Sequence, residues 1–377
     1  MTLSPATMAI DENDIQYMRE ALALAQEGRY STHPNPRVGA ILLRDGRELG
    51  RGAHLQAGGP HAEVLALREA GESARGATLY VTLEPCSHHG RTPPCSDALI
   101  AAGVRRVVVA MADPNPLVAG QGIARLRAAG IEVDLPCLEE EAAWLNRGFI
   151  QRMRTGRPWI RIKQASSLDG KIALANDQSQ WLTGVLARED VQQERAQASA
   201  ILVGVGTVLA DDPRLAPRLE SAPLRYPVKI VLDGHLRTPP TAALLRSPGR
   251  TWIVHRDDAD GASGPALVAA GARLVALPPA SSGVGVDFTA LMQFLAAEEV
   301  NELMVEAGGR LSSSLLDAGM VDEYLLYFAP LLLGRDARAF AEPGPFTELG
   351  QIPRWRLRES QVLGQDVKLR YLCQQEA

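Results

Sequence analysis

Val81-Thr82-Leu83-Glu84-Pro85-Cys86-Ser87-His88-His89-Gly90-Arg91-Thr92-Pro93-Pro94-Cys95, together with His61-Ala62-Glu63 upstream, decides how this chain is read. A β-prone apolar run leads into Cys86, and Cys95 opens a segment of helical spacing that reaches Ala102. One imidazole (His61) and two thiolates (Cys86, Cys95) make a three-ligand zinc set. Three protein ligands leave one tetrahedral position for water, which separates a catalytic zinc from a closed structural one. Glu63, two residues from the imidazole, can move protons at such a centre if both residues open one helix. Eight residues, Ser87 to Pro94, lie between the cysteines, so the loop has to bulge outward while its ends hold the metal.

Two readings of that set compete. A closed site would recruit His54, His88, His89 or Cys137 as a fourth donor, yet none of these stands at the short paired intervals of structural zinc sites. The order His-x-Glu, Pro-Cys, Cys is instead that of zinc-dependent nucleobase deaminases, in which the glutamate is a general acid and base and not a ligand.

Outward from this stretch, strands and helices alternate. The spacing predicts a helix over Asp14–Gly28, a strand over Val38–Leu43 turned back at Arg44-Asp45-Gly46, a helix over His61–Ala70 and a strand over Thr78–Leu83. Strands Val104–Met111 and Ile131–Leu135 flank a helix over Gly120–Ala129, and one helix is expected over Glu139–Arg152. A domain boundary falls at Arg154–Pro158. Beyond it a second set of strands starts at Trp159–Gln164 and continues at 200–203, 228–232, 251–254, 273–277, 302–305 and 323–328. Helices are expected near Ala187–Ala198, Phe288–Ala297 and Ser312–Ala318. Such alternation predicts α/β layers on mostly parallel sheets. The arginines between 147 and 157 read either as a nucleic-acid patch or as a solvated helix end and linker; Phe149 alone lies among them, short of the aromatic interleaving that a nucleic-acid surface would favour.

The chain has 377 residues, enough for two domains, with 46% hydrophobic residues, 22% charged residues and a net charge of −5. That balance argues against wrapping nucleic acid, whose binders carry a basic excess. Four cysteines with no further motif argue against a disulfide framework. Met1–Ile10 lacks the basic-then-apolar pattern of a secretion leader, and no apolar run approaches membrane-spanning length. A cytosolic enzyme is the expectation, homo-oligomeric and most simply dimeric, because exposed sheet edges in such folds pair across subunits.

Other features leave alternatives open. In His33-Pro34-Asn35-Pro36, Asn35 either offers its amide to a ring substrate or sits in a plain turn. Gly308-Gly309, after an apolar strand and before a helix, either lets backbone amides approach a pyrophosphate or makes a tight turn. Arg195 and Arg218 either clamp a phosphate or are surface charges.

Taken together, Thr32–Gly39, Pro60–Val64, Val81–Cys95 and Asp113-Pro114-Asn115-Pro116 resemble the deaminase half of the bifunctional deaminase/reductase family of riboflavin biosynthesis, in which the long cysteine spacing is normal. Ala165–Lys171, Ser179-Gln180-Trp181, Gly206–Leu215 and Val305–Gly309 resemble its reductase half. The resemblance spans nearly the whole chain. It implies a cytidine-deaminase-like α/β/α domain over residues 1–152 and a dihydrofolate-reductase-like α/β domain over residues 158–377. It implies zinc-dependent deamination of a phosphorylated diaminopyrimidine, with Glu63 catalytic, followed by NADPH-dependent reduction of the ribosyl group to ribityl. NADPH would then meet Ala165, Trp181, Thr207, Asp211, Gly234 and Gly308, Gly309, Arg310, Leu311, Ser312, Ser313 and Ser314, with Arg310 either at a cofactor phosphate or an exposed cap. The substrate would meet Lys163, Ser179, Arg195, Leu215, Arg218 and Glu306, with Lys163 and Glu306 as partners in opening the sugar ring. A polynucleotide deaminase would need a basic groove, and a zinc-stapled scaffold would have no use for Glu63.

Overall fold

The computed structural model describes residues 10–87, 94–116, 118–219 and 225–374, and the chain divides into two compact units, Met1–Gly156 and Arg157–Ala377.

In the first unit, strands β1 (Gly39–Arg44), β2 (Arg47–Ala53), β3 (Thr78–Val81), β4 (Arg106–Val109) and β5 (Glu132–Asp134) form one sheet in the order β2-β1-β3-β4-β5. The pairings of β1 are antiparallel, because the Asp45-Gly46 turn folds β2 straight back. Pairing becomes parallel from β3 to β5, where helices intervene. Helix α1 (Glu12–Ala25) starts at a capping box in which Asp11 and Asp14 satisfy each other's backbone N–H. Asp14 then turns its carboxylate inward to accept two bonds from Arg106 and one from Tyr80, fixing α1 on the sheet.

Helices α2 (Ala62–Ala70), α3 (Cys95–Ala102) and α4 (Gln121–Ala128) complete the layers around the metal candidates. The sheet approaches α2 closely at Gly52: a Cβ there would sit 2.3 Å from the Ala62 carbonyl oxygen, so only glycine allows that packing.

The helix expected over Glu139–Arg152 is two, α5 (Glu139–Leu145) and α6 (Arg147–Thr155). Asn146 breaks it at φ −111°, ψ 18°. Its amide acts as a substitute peptide group, accepting from Arg37 N at 2.8 Å and donating to Arg37 O at 2.9 Å. Two strong bonds to the segment beside Asn35 outweigh one unbroken helical turn.

The second unit is built on a nine-stranded sheet. Its strands are β6 (Trp159–Ser167), β8 (Ala200–Gly204), β9 (Val228–Leu232), β10 (Thr251–Arg256), β11 (Ala272–Leu277), β12 (Glu302–Val305), β13 (Glu323–Ala329), β15 (Trp355–Leu363) and β16 (Asp366–Cys373), in the order β11-β10-β9-β8-β12-β6-β13-β16-β15. From β11 to β13 every pairing is parallel, and the C-terminal hairpin β15–β16 closes the sheet antiparallel. A small ribbon pairs β7 (Lys171–Ala173) with β14 (Arg338–Ala339). Helices α7 (Val185–Gln197), α8 (Val205–Asp211), α9 (Ala243–Arg246), α10 (Gly264–Ala269), α11 (Phe288–Ala297) and α12 (Gly309–Asp317) connect the strands. The parallel part of the sheet is buried on both faces. Ile160, Ile162, Leu202, Ile230 and Trp252 pack on one side, and Ile201, Val203, Val231, Met304 and Tyr327 on the other, as βαβ crossovers require. Helix α12 begins at Gly309, earlier than the expected Ser312, because Gly308 takes the extended N-cap conformation. Among the described residues no helix is long and apolar enough to cross a membrane.

Candidate active sites

In the first unit, His61 is the N-cap of α2, Glu63 lies in its first turn, and Cys95 is the first residue of α3. Helix starts converge on one point and bring the three candidate ligands together: their donor atoms lie within 4.8 Å of one another. His61 Nδ1 is 3.2 Å from Cys95 Sγ and 3.6 Å from Cys86 Sγ. Such separations follow from a common centre about 2.3 Å from each sulfur and about 2.0 Å from the nitrogen, so the donor set fits zinc. The ends of the long loop are pinned to each other, with Cys95 N donating to Cys86 Sγ at 3.3 Å and both Ser96 N and Ser96 Oγ donating to Cys86 O at 3.1 Å. Its middle, including His88 and His89, lies outside the described residues. Hydrogen bonding from Cys95, with the imidazole beside it, draws the Cys86 thiol down to about 4, toward the thiolate a metal needs. Burial pushes the Glu63 carboxyl upward.

Two of the alternative fourth ligands are engaged elsewhere. Cys137 is buried against the Asp14 carbonyl. His54 Nδ1 lies 3.0 Å from Pro60 O and its Nε2 lies 3.1 Å from Asn35 Nδ2. A carbonyl can only accept, so Nδ1 carries the proton and Nε2 accepts from the Asn35 amide. Burial pushes the His54 pKa down, which keeps that neutral tautomer. His54 also stands edge-on to His61, with ring centroids 5.4 Å apart, so Asn35 is tied to the metal cluster through it.

Glu84 is a structural residue that spacing alone does not reveal. Buried beneath the Pro85-Cys86 turn, its carboxylate accepts the backbone N–H groups of Asp113, Gly120, Gly122 and Ile123 at 2.9–3.2 Å. It thereby ties the metal turn to the start of α4. A Cβ on Gly122 would lie 1.9 Å from Pro85 O, which explains the glycine.

In the second unit, the candidate residues gather near the C-terminal ends of parallel strands, the usual place for ligands in open α/β sheets. Glu306 follows β12 and Lys163 lies on β6 beside it, 3.8 Å from Nζ to Oε2. From α7, Arg195 grips Glu306 through two bonds of 2.5 and 2.7 Å. Against the cost of burial, Arg195 and then Lys163 hold the Glu306 carboxyl down to about 2, with Arg218 adding to the effect. Burial pushes the Lys163 ammonium pKa down.

Thr207 and Asp211 lie on α8 directly after β8, and Gly234 follows β9. Asp177, in the loop leading to Ser179 and Trp181, is close enough to help raise the Asp211 pKa, although burial is the larger cause. Trp181 is exposed and stacks with Arg188, its ring centroid 5.0 Å from the guanidinium carbon. Leu215 is buried beyond α8, and Ala165 lies two residues past Lys163 on β6.

At the start of α12, the amides of Gly309, Arg310 and Leu311 are the N–H groups that a helix leaves without intrahelical partners. A Cβ on Gly308 would meet nothing within 4 Å, whereas one on Gly309 would lie 2.7 Å from Ala339 O. The first glycine therefore leaves open space in front of the amides, and the second permits packing against β14. This end of the helix fits a dinucleotide phosphate. The hydroxyls of Ser312, Ser313 and Ser314 are engaged with Gln164, Gly309 O and Arg310 O respectively, and Ser312 N already donates to Gly308 O.

Residues 11–111 match the model of the cytidine and deoxycytidylate deaminase zinc-binding region, and residues 158–369 match that of the RibD C-terminal domain. The riboflavin biosynthesis protein RibD of Escherichia coli is 48% identical over 94% of this chain and 98% of its own length. The solved structure of Acinetobacter baumannii RibD is 42% identical, covers 97% of this chain and 99% of its own, and superposes with a TM-score of 0.88. A Thermotoga maritima diaminohydroxyphosphoribosylaminopyrimidine deaminase/5-amino-6-(5-phosphoribosylamino)uracil reductase is 32% identical, with coverage of 96% and 98% and a TM-score of 0.83. The chain belongs to the RibD family, and it is a bifunctional enzyme of riboflavin biosynthesis that joins a zinc-binding deaminase to a pyrimidine reductase using a nicotinamide cofactor.

Proposed function

We propose that residues 1–152 deaminate diaminohydroxyphosphoribosylaminopyrimidine and that residues 158–377 reduce the resulting 5-amino-6-(5-phosphoribosylamino)uracil with NADPH, the two activities named for the Thermotoga maritima relative. The observation that carries the first half is the convergence of His61, Cys86 and Cys95 beside the buried Glu63 carboxyl. Zinc held by those three residues would supply Lewis acidity, which lowers the pKa of a bound water from about 15.7 to about 7. Glu63 carries the protons: it accepts the two protons of the attacking water in turn, and returns one to the ring nitrogen and the other to the departing ammonia. Asn35, oriented by His54, offers its amide to the pyrimidine ring.

In the second half, NADPH when bound would supply the hydride for the ribosyl carbon of the opened sugar. The dinucleotide meets the rim formed by Ala165, Trp181, Thr207, Asp211, Gly234 and residues 308–314. The sugar phosphate meets Ser179, Arg195, Leu215 and Arg218. Glu306 and Lys163 move the protons that ring opening requires, an assignment supported by their contact and by the burial that lowers the Lys163 ammonium pKa. The enzyme is read as cytoplasmic because both reactants are charged and membrane-impermeant. It takes neither nucleic acid nor membrane as a partner, a reading favoured by the net charge of −5. A homodimer is favoured by β15, which forms an outer sheet edge with Leu357 and Val362 exposed.

The full chain, mixed with the deaminated intermediate, should oxidise NADPH with a far lower KM than NADH. Equal use of both dinucleotides would overturn the cofactor assignment. No oxidation of either would overturn the reductase site.

A further inference from the structure

We propose that Lys229 and Ser247 form a positioning relay that pins the Arg214 carbonyl, and through it the turn that presents Leu215 and Arg218 to the substrate of the reductase. The proposal rests on the reading above that Leu215 and Arg218 meet that substrate.

Lys229 lies on β9 with no exposed surface. Its ammonium donates three hydrogen bonds, to Leu244 O at 2.6 Å, Ser247 O at 2.7 Å and Ser247 Oγ at 2.9 Å. An ammonium has three N–H donors, so its capacity is used in full at the end of α9. Burial pushes its pKa down to about 8, which still leaves it protonated at neutral pH. Ser247 Oγ has one proton to give. Leu244 O already receives the lysine, so the proton goes to the nearer acceptor, Arg214 O, at 2.7 Å. A hydroxyl that accepts from a cation is a better donor in turn.

Arg214 O holds a tight turn at the same time, accepting from Ala216 N at 2.8 Å. The residue inside that turn is Leu215, buried and left-handed at φ 59°. A leucine does not adopt that conformation unless its surroundings enforce it. The relay occupies the second lone pair of the carbonyl that closes the turn. The flanks are fixed separately: Ala243 N donates to Asp212 Oδ1 at 2.7 Å, and Arg218 N donates to Gln192 Oε1 at 3.1 Å. Between these anchors, Ser247 is the side chain that grips the turn itself.

The test is steady-state reduction of 5-amino-6-(5-phosphoribosylamino)uracil by the full chain. In Ser247→Ala, KM for the pyrimidine should rise about tenfold, the effect of one hydrogen bond to a polarised donor. The value of kcat, KM for NADPH and the ammonia-release rate should stay at wild-type levels, because uniform substrate binding is what is lost. Ser247→Thr keeps the hydroxyl and should restore KM. Lys229→Met should move KM the same way; if it does not fold, the Ala/Thr pair still decides. A wild-type KM in Ser247→Ala, or an increase that Thr does not rescue, overturns the relay. Arg218→Ala separates the two layers. A wild-type KM there overturns the substrate reading, and the relay with it. A raised KM there beside an unchanged Ser247→Ala overturns the relay alone.

Discussion

Glu63→Gln should retain its zinc and lose ammonia release, by a factor of about 10² to 10⁴, the usual contribution of a positioned general acid and base. Gln is nearly isosteric, and Glu63 is not one of the three clustered donors, so the His61, Cys86 and Cys95 set stays intact. What disappears is a group that can accept a proton from water and give one back. The second unit provides an internal control, since reduction of the deaminated intermediate uses none of these residues and should proceed at the wild-type rate. Ammonia release at the normal rate by a zinc-loaded Glu63→Gln enzyme would remove Glu63 from the mechanism.

The largest stability effect is expected at Glu194. Arg161 is buried at 1% exposure, with Nη1 2.6 Å from Glu194 and Nη2 2.8 Å from Glu302. Its Nε lies 2.9 Å from Glu323 Oε1 but lacks the alignment of a hydrogen bond, so that contact is one of charge alone. From β16, Arg370 reaches Glu194, Glu323 and Glu359, and Lys368 reaches Glu194 and Asp190. Glu194 thus serves three cations, and α7 docks on the sheet through charge as well as apolar packing. Glu194→Gln leaves those cations short of an anion in a dry site, which should cost about 3–5 kcal/mol by denaturant unfolding.

The same residue fixes an acid response. Against the cost of burial, Arg161, Arg370 and Lys368 hold the Glu194 carboxyl well below the usual range. Glu306 is held to about 2 by Arg195 and Lys163. A depressed folded pKa means stability that is fully present above the unfolded value of about 4.5 and lost as pH falls toward the folded one. The second unit should therefore weaken progressively below about pH 4.5, and the Glu194→Gln variant should show a shallower slope there. A variant within 1 kcal/mol of wild type, with an unchanged acid slope, would show that the network contributes nothing net.

The metal cluster was legible because ligand chemistry restricts residue types: His61, Cys86 and Cys95 stand out whatever the fold around them. Much of the strand and helix order was legible because apolar runs such as Ala200–Val203 and Leu303–Val305 admit few alternatives. The C-terminal hairpin was not. Its strand β16 alternates with period two, but the residues facing inward are Asp366, Lys368 and Arg370, the reverse of the apolar-in pattern on which strand recognition depends. The break at Asn146 was hidden because its cause, the Arg37 backbone, is 109 residues away. His54 and Glu84 escaped for a similar reason. Each acts through backbone or amide groups that only folding brings near, so no spacing announces them. Ser247 and Lys229 belong to the same class.

Zinc K-edge X-ray absorption on the zinc-loaded chain tests the account at its centre. One zinc per chain is expected, with two sulfurs at about 2.3 Å and two lighter atoms at about 2.0 Å, one from His61 and one from water. A shell of four protein donors, or a chain that binds no zinc, would contradict an open centre at His61, Cys86 and Cys95.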